Sequence, residues 1–335
     1  MVERPGPRGS ATETRTLDDA GFEAAAAEIR SWPEYRPTPL LRLTGPARVA
    51  DVACVWYKDE SHRFGTGTFK ALGGAYGVVR ALERASASRV DGRPTVACAT
   101  AGNHGAAVAW GARRVGVRSV VFLPSGASEA REEALRALGA EVRRTGEGYD
   151  ATVELASEVA EREGWRVVSD TSGTSRPDRA GSAVHVMQGY RLLVEEVLDE
   201  IPASRQPTHV FVQAGVGGLA GAVCEHLRAR LGSVRPDLIV VEASSAACLL
   251  ASARAGGRRV LASPPRTSMT GLACRTPSAL AWEVLRDGAR GFLTVTDAQM
   301  RATVRGLADG WPGGDGVTDP PVVAGASGAA GLAGL

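Results

Sequence analysis

The chain has 335 residues, a formal net charge of +2 and 23% charged side chains, which excludes the strongly basic balance of a nucleic-acid or charged-membrane binder. Its five cysteines (Cys54, Cys98, Cys224, Cys248 and Cys274) form no CxxC pair, which argues against a metal site or a disulfide framework and fits a reducing cytoplasm. No apolar run reaches the roughly 18 residues of a membrane span, and the length predicts two domains.

The first 19 residues carry no apolar segment behind their charges, so they are no secretory signal; residues 1–30 are read as a mobile tail. Next come Lys58 and Lys70, the only two lysines among 39 basic side chains. Arginine replaces lysine as a surface charge, but only an amine can lose its proton and attack a carbonyl, so at least one of the two is expected to be chemical. Short apolar runs then alternate with amphipathic stretches: strand 95–99, helix 106–115, strand 119–123, helix 128–138, strand 141–143, helix 150–163 and strand 166–169. The pattern resumes with helix 192–198, strand 209–213, helix 220–231 and strand 238–242. Such alternation predicts parallel βαβ units.

Three glycine turns stand out. Thr100-Ala101-Gly102-Asn103-His104-Gly105 lies between a strand and a helix, where free N–H groups suit a carboxylate or phosphate. Gln213-Ala214-Gly215-Val216-Gly217-Gly218-Leu219 follows a strand, and its glycines let the backbone approach a phosphate. The same turn with Glu242 at the end of the next strand imitates a dinucleotide fingerprint, so a nicotinamide oxidoreductase stays open. The third turn, Gly325-Ala326-Ser327-Gly328, is uninformative alone. An amine, a phosphate loop and a carboxylate-binding turn together suit pyridoxal phosphate.

Phe69-Lys70, the 100–105 turn and the 215–219 loop resemble the fold-type II pyridoxal phosphate enzymes, the tryptophan synthase β and threonine dehydratase superfamily. Lys58-Asp59-Glu60-Ser61-His62-Arg63-Phe64-Gly65, Phe69-Lys70-Ala71-Leu72-Gly73-Gly74, Met187-Gln188-Gly189-Tyr190, Thr267-Ser268-Met269-Thr270-Gly271-Leu272-Ala273-Cys274, Trp282-Glu283-Val284-Leu285 and Asp319-Pro320-Pro321 are similar to the diaminopropionate ammonia-lyase branch. The resemblance implies an α/β fold of two parallel-sheet domains with the cofactor in the cleft between them. Residues 31–64 and 184–335 would form the large domain and 65–183 the small one.

It also implies roles. Lys70 would join the cofactor's aldehyde and act as base at the substrate Cα, with Phe69 packed beside the cofactor. Asn103 would bond its 3′-oxygen, and Gly215, Val216, Gly217, Gly218 and Leu219 would cradle its phosphate. Thr100, Ala101, Gly102 and His104 would hold the substrate carboxylate through their backbone. Asp170 matches a catalytic acid near the substrate's distal amino group, with a turn or helix cap as its other reading, while Lys58 matches a structural ion-pair lysine.

Two departures qualify the expectation. The branch carries an aspartate where this chain has Ala101, so a one-base reaction through Lys70 on an L-amino acid is expected. Family members also continue beyond residue 335 to a strand that supplies the pyridine-nitrogen partner, which leaves a truncated form, substitution by Ser327 or weakened cofactor binding open. The expected activity is an α,β-elimination on 2,3-diaminopropionate giving pyruvate and ammonia. Alternatives are a serine/threonine dehydratase, a β-replacement synthase of the same fold and a non-catalytic relative. The expected form is a cytoplasmic homodimer without metal, nucleic-acid or membrane partner.

Overall fold

The computed structural model describes residues 2–3, 16–83, 94–100, 102–172, 177–313 and 316–335. In chain order the first elements are β1 (Val2–Glu3), α1 (Asp19–Arg30), β2 (Leu40–Leu43), α2 (Thr44–Val49), β3 (Val55–Lys58) and α3 (Lys70–Glu83). Then come β4 (Thr95–Ala99), α4 (Asn103–Arg114), β5 (Arg118–Leu123), α5 (Glu129–Ala137), β6 (Glu141–Arg144), α6 (Tyr149–Arg162), β7 (Arg166–Val167) and α7 (Pro177–Glu200). The remainder carries β8 (His209–Gln213), α8 (Gly218–Leu231), β9 (Asp237–Ala243) and α9 (Cys248–Ala255). It continues with α10 (Ala279–Gly288), β10 (Gly291–Val295), α11 (Asp297–Asp309) and α12 (Ala330–Ala333).

Contacts divide these elements into two units: residues 17–36 with 63–192, and residues 37–62 with 193–335 and β1. In the first, four parallel strands run in the order β6-β5-β4-β7. Val96, Ala97 and Cys98 of β4 and Val120 to Leu123 of β5 are all buried, the continuous apolar pattern of a parallel sheet covered on both faces. Helix α6 closes one face, with Ala156, Val159 and Ala160 packed on Ala97, Val120 and Phe122. Helices α3 and α4 meet along small residues: a Cβ on Gly74 would lie 2.6 Å from Ala107 Cβ, and one on Gly111 2.6 Å from Ala75 Cα.

Residues 19–30, expected within a mobile tail, instead form α1 and bury Phe22, Ala25, Ala26 and Ile29. The reason is Arg191 of α7, a fully buried guanidinium. It donates to Asp18 O (2.7 Å), Gln188 Oε1 (2.9 Å) and Asp19 Oδ1 (2.9 Å) and lies 4.7 Å above the Phe22 ring. A buried charge satisfied this fully ties the start of α1 to α7. The division along α7 falls at residue 193 rather than the expected 184. Its glycine-bearing stretch packs on α3: a Cβ on Gly189 would meet Leu72 O at 2.7 Å, and one on Gly73 would meet Val186 O at 2.3 Å.

In the other unit the sheet runs β1-β10-β9-β8, with β8, β9 and β10 parallel and β1 antiparallel. Val212, Val240, Phe292, Leu249 and Leu285 share its core. Strands β2 and β3 form a separate antiparallel pair. Asp319 accepts the Thr44 N–H (2.7 Å), the Thr44 hydroxyl (2.7 Å) and the Gly45 N–H (2.8 Å), satisfying donors that open α2. Lys58, at the end of β3, is nearly buried, with Nζ 2.7 Å from both Glu196 Oε2 and Thr38 O. That fixed ion pair fits the structural part expected of it. Among the described residues no helix is long and apolar enough to cross a membrane.

Candidate active site

In the unit of residues 17–36 and 63–192, the chain reaches α3 through a tight loop. Phe64 takes a left-handed φ of 50°, uncommon for an aromatic residue, and its ring stacks on Trp110 at 4.8 Å. Gly65 and Gly67 follow at φ 67° and 68°, where a glycine adapts without penalty. Thr66 Oγ1 donates to Arg63 O (2.9 Å), and Thr68 Oγ1 accepts from Lys70 N (3.3 Å) and Asn103 Nδ2 (3.5 Å). Lys70 is the first residue of α3, so its ammonium stands at the positive end of the helix dipole, an unfavourable place for a cation. Asp170 offsets this, with Oδ2 2.6 Å from Lys70 Nζ.

Burial works to raise the Asp170 carboxyl, but attraction to His104 and Lys70 and the Lys70 hydrogen bond outweigh it and hold it far below the usual carboxylate range. Asp170 is therefore favoured as an anion beside the amine, in an ion pair that a simple turn or helix cap would not need. His104 is buried, with Nε2 3.0 Å from Val168 O. A carbonyl only accepts, so Nε2 carries the proton. That leaves Nδ1 3.9 Å from Asp170 Oδ2 and without a hydrogen-bond partner among the described residues. Phe69 and Tyr190 form an edge-on pair at 5.0 Å, and Lys70 Nζ lies 5.6 and 5.7 Å from their ring centroids.

The turn at 100–105 presents fewer free amides than expected. Thr100 N donates to Phe122 O and Gly102 N to Thr100 Oγ1. With Gly102 as N-cap and no side chain capping α4, the amides of Asn103 and His104 are the ones that open the helix. Ala101 lies outside the described residues. A cavity of about 20 Å³ beside His104, Ser169 and Asp170 has room for a water molecule, not an amino acid.

In the unit of residues 37–62 and 193–335, the loop after β8 is fixed from behind. Cys248 Sγ points to Gly215 O at 3.5 Å, and Ser278 N donates to Val216 O at 2.9 Å. In a trans peptide the N–H points opposite its carbonyl, so the amides of Val216 and Gly217 face away from these contacts. Gly217, at φ 97°, is the N-cap of α8, and no side chain caps that helix. A Cβ on Gly215 would lie 2.9 Å from both Cys274 Sγ and Gly271 O. Amides placed in this way at a helix N-terminus are of the kind that suit a phosphate. The segment behind it is pinned through Asp297, which accepts from Thr267 Oγ1 (2.5 Å) and Ser268 N (2.8 Å). Ser327 Oγ is engaged by Gly271 N at 3.0 Å.

Glu242 does not behave as a ribose ligand. It is fully buried and accepts the amides of Leu249 (2.8 Å) and Leu250 (2.7 Å), capping the first turn of α9. The nicotinamide alternative therefore loses its acid. Burial pushes this carboxyl up to about 8, against the pull of those two amides and Cys248. A carboxyl raised by folding adds stability that is full below its unfolded pKa and lost as pH rises through about 8. The melting temperature of Glu242→Gln relative to the parent is thus expected to improve from pH 5 to pH 9.

Thr68, Ser278 and Tyr190 were not anticipated as site residues. The available signal was the glycines set inside helical patterns, Gly73 and Gly189, which mark a close approach between helices.

The fold and these two constellations define an α/β enzyme equipped for a cofactor with an aldehyde and a phosphate. The chain belongs to the pyridoxal-phosphate-dependent enzyme family, whose profile matches residues 32–335. It is 37% identical over 314 residues to the diaminopropionate ammonia-lyase of Escherichia coli K12, covering 89% of this chain and 76% of that one. It is 34% identical over 334 residues to that of Salmonella typhimurium LT2, covering 94% and 81%. The crystal structure of the Escherichia coli diaminopropionate ammonia-lyase with an aminoacrylate–pyridoxal phosphate azomethine intermediate matches with a TM-score of 0.85 and 33% identity, covering 99% of this chain and 84% of that one. The residues present fit the cofactor: Lys70 offers a primary amine with a fixed counter-anion, and the closely packed Gly215 leaves no space for a side chain.

Proposed function

We propose that this enzyme catalyses an α,β-elimination on a small L-amino acid, converting 2,3-diaminopropionate to pyruvate and ammonia. The observation that carries the reading is the 2.6 Å pair of Lys70 Nζ and Asp170 Oδ2 at the start of α3, an amine held beside a carboxylate. The likeness to the Escherichia coli and Salmonella diaminopropionate ammonia-lyases supports the choice of leaving group.

When bound, pyridoxal phosphate supplies an electron sink for the charge left at Cα. Lys70 would hold its aldehyde carbon, Phe69 would flank it and Asn103 Nδ2 would donate to its 3′-oxygen. The amides of the 215–219 loop would hold its phosphate. The Asn103 and His104 amides would take the substrate carboxylate, with Thr100, Ala101 and Gly102 the preceding residues proposed to share that part. Lys70 Nζ then removes the Cα proton, and the anionic Asp170 orients that amine and attracts a second ammonium on the substrate. A cytoplasmic homodimer is part of the same proposal, supported by the family resemblance and by five cysteines that form no disulfide among the described residues.

The alanine at position 101 favours a second reading, a serine/threonine dehydratase, because it cannot move a proton where the ammonia-lyase branch carries an aspartate. Ammonia and 2-oxo acid release from D- and L-2,3-diaminopropionate, L-serine and L-threonine separates the two. The L-diaminopropionate rate is expected to be highest and the D-isomer slower by about 100-fold or more. Faster turnover of L-serine or L-threonine would establish the dehydratase, and silence with all four would remove both readings.

A further inference from the structure

Tyr190 is the buried polar group beside Lys70 to which the reaction assigns no part. It is 1% exposed, and its hydroxyl completes no full hydrogen bond among the described residues, Lys70 being near enough to interact with it. A buried phenol of this kind normally finds a partner. Its position is tightly defined: Gly73 lies against the ring edge, where a Cβ would come within 2.5 Å of Tyr190 Cε1, and Phe69 meets the ring edge-on at 5.0 Å. The face of the ring is turned to Lys70 Nζ at 5.7 Å, within cation–π range.

The phenol is not itself an acid or base. Burial pushes its pKa above the usual tyrosine range, with Lys70 pulling down, Asp170 adding to the rise and a Lys70 hydrogen-bond interaction lowering it. It therefore stays a neutral dipole whose oxygen lone pairs can accept from an ammonium and whose ring attracts a cation. The other titratable groups around the amine are Asp170, after β7, and His104 of α4, with Cys98 of β4 sensing the Asp170 charge.

The geometry points to Tyr190 as a positioning residue for Lys70: its ring face and its hydroxyl favour the ammonium form of the side chain and so set how readily the amine gives up its proton. This rests on the reading that Lys70 carries the Cα proton. Ammonium is the state the side chain enters on taking that proton and leaves on returning it. Tyr190 would stabilise the protonated form alongside Asp170, while leaving the neutral amine to Asp170 alone.

The presence of only two lysines makes the test direct. Full-length protein without cofactor is trace-labelled with acetic anhydride from pH 7 to 11, and the Lys70 and Lys58 peptides are quantified by mass spectrometry. Labelling follows the neutral-amine fraction, so each lysine reports its own midpoint. In Tyr190→Phe, which removes only the hydroxyl, the Lys70 midpoint is expected to fall by about half a unit to one unit. In Tyr190→Leu, which also removes the ring, it falls further by about half a unit. The Lys58 midpoint stays in place in both. A Lys70 midpoint unchanged in Tyr190→Phe overturns the hydroxyl's part, and one unchanged in both variants overturns the inference entirely. Should Tyr190→Leu fail to fold, Tyr190→Phe still decides the hydroxyl's part. Because no turnover is read, these outcomes are independent of whether any amino acid proves to be a substrate.

Discussion

Lys70→Ala is expected to lower elimination by about 10⁴-fold or more and to abolish the violet absorption of the cofactor-loaded protein. The other lysine cannot take over. Lys58 is held by Glu196 and the Thr38 carbonyl at 2.7 Å each, and it belongs to the other unit. Lys70→Arg separates the chemical need from the electrostatic one. It keeps a cation for Asp170 but cannot lose its proton at working pH, so activity and colour should vanish while the fold stays intact. Alanine should in addition leave the Asp170 carboxylate without its 2.6 Å partner, and a drop in melting temperature confined to Lys70→Ala would register that loss. Retention of both colour and turnover in either variant would remove Lys70 from the reaction.

Gly215→Val is expected to weaken cofactor binding by about tenfold to a hundredfold, measured by absorbance titration of the cofactor-free protein. The first atom of any side chain here meets a backbone oxygen, Gly271 O, and Cys274 Sγ, both at 2.9 Å. The Gly271 segment cannot yield easily, because Ser327 holds the Gly271 amide and Asp297 holds Thr267 and Ser268. The loop must move instead, and with it the amides of Val216 and Gly217. Gly126→Ala provides the comparison: nothing lies within 4 Å of its added Cβ, and its affinity should match the parent. Equal affinity in Gly215→Val would mean that the phosphate is held elsewhere.

The strands at β4, β5 and β8 were readable because each is a short apolar run closed by turn residues, and β4 and β5 are covered on both faces. Helix α7 was visible only at residues 192–198. Its earlier part mixes Gly189, Gln188 and Arg191 with apolar residues, yet all are buried, so no amphipathic period survives. Helix α1 was lost for a related reason. Its alanines are weak markers of a core, and the buried Arg191 that fixes it lies about 170 positions away. At the site, Lys70 and the Gly215 turn were legible as chemistry that other residue types cannot perform. The contacts of Asp170 and Tyr190 with Lys70 span about a hundred residues, which no local pattern records.

The carboxylate of Asp319 has a consequence for the order in which the newborn chain can become structured. It grips Thr44 and Gly45 from 275 and 274 positions downstream. Residues 17–36 and 63–192 have all left the ribosome while that anchor is still unmade, so their sheet can close early, as domains completed first during synthesis do. The start of α2, although translated sooner, waits for its cap at the far end of a loop whose closure is entropically slow. During that interval the early segment is the one most in need of shelter from other chains, and its maturation is timed by a stretch translated about 275 residues later rather than by its own.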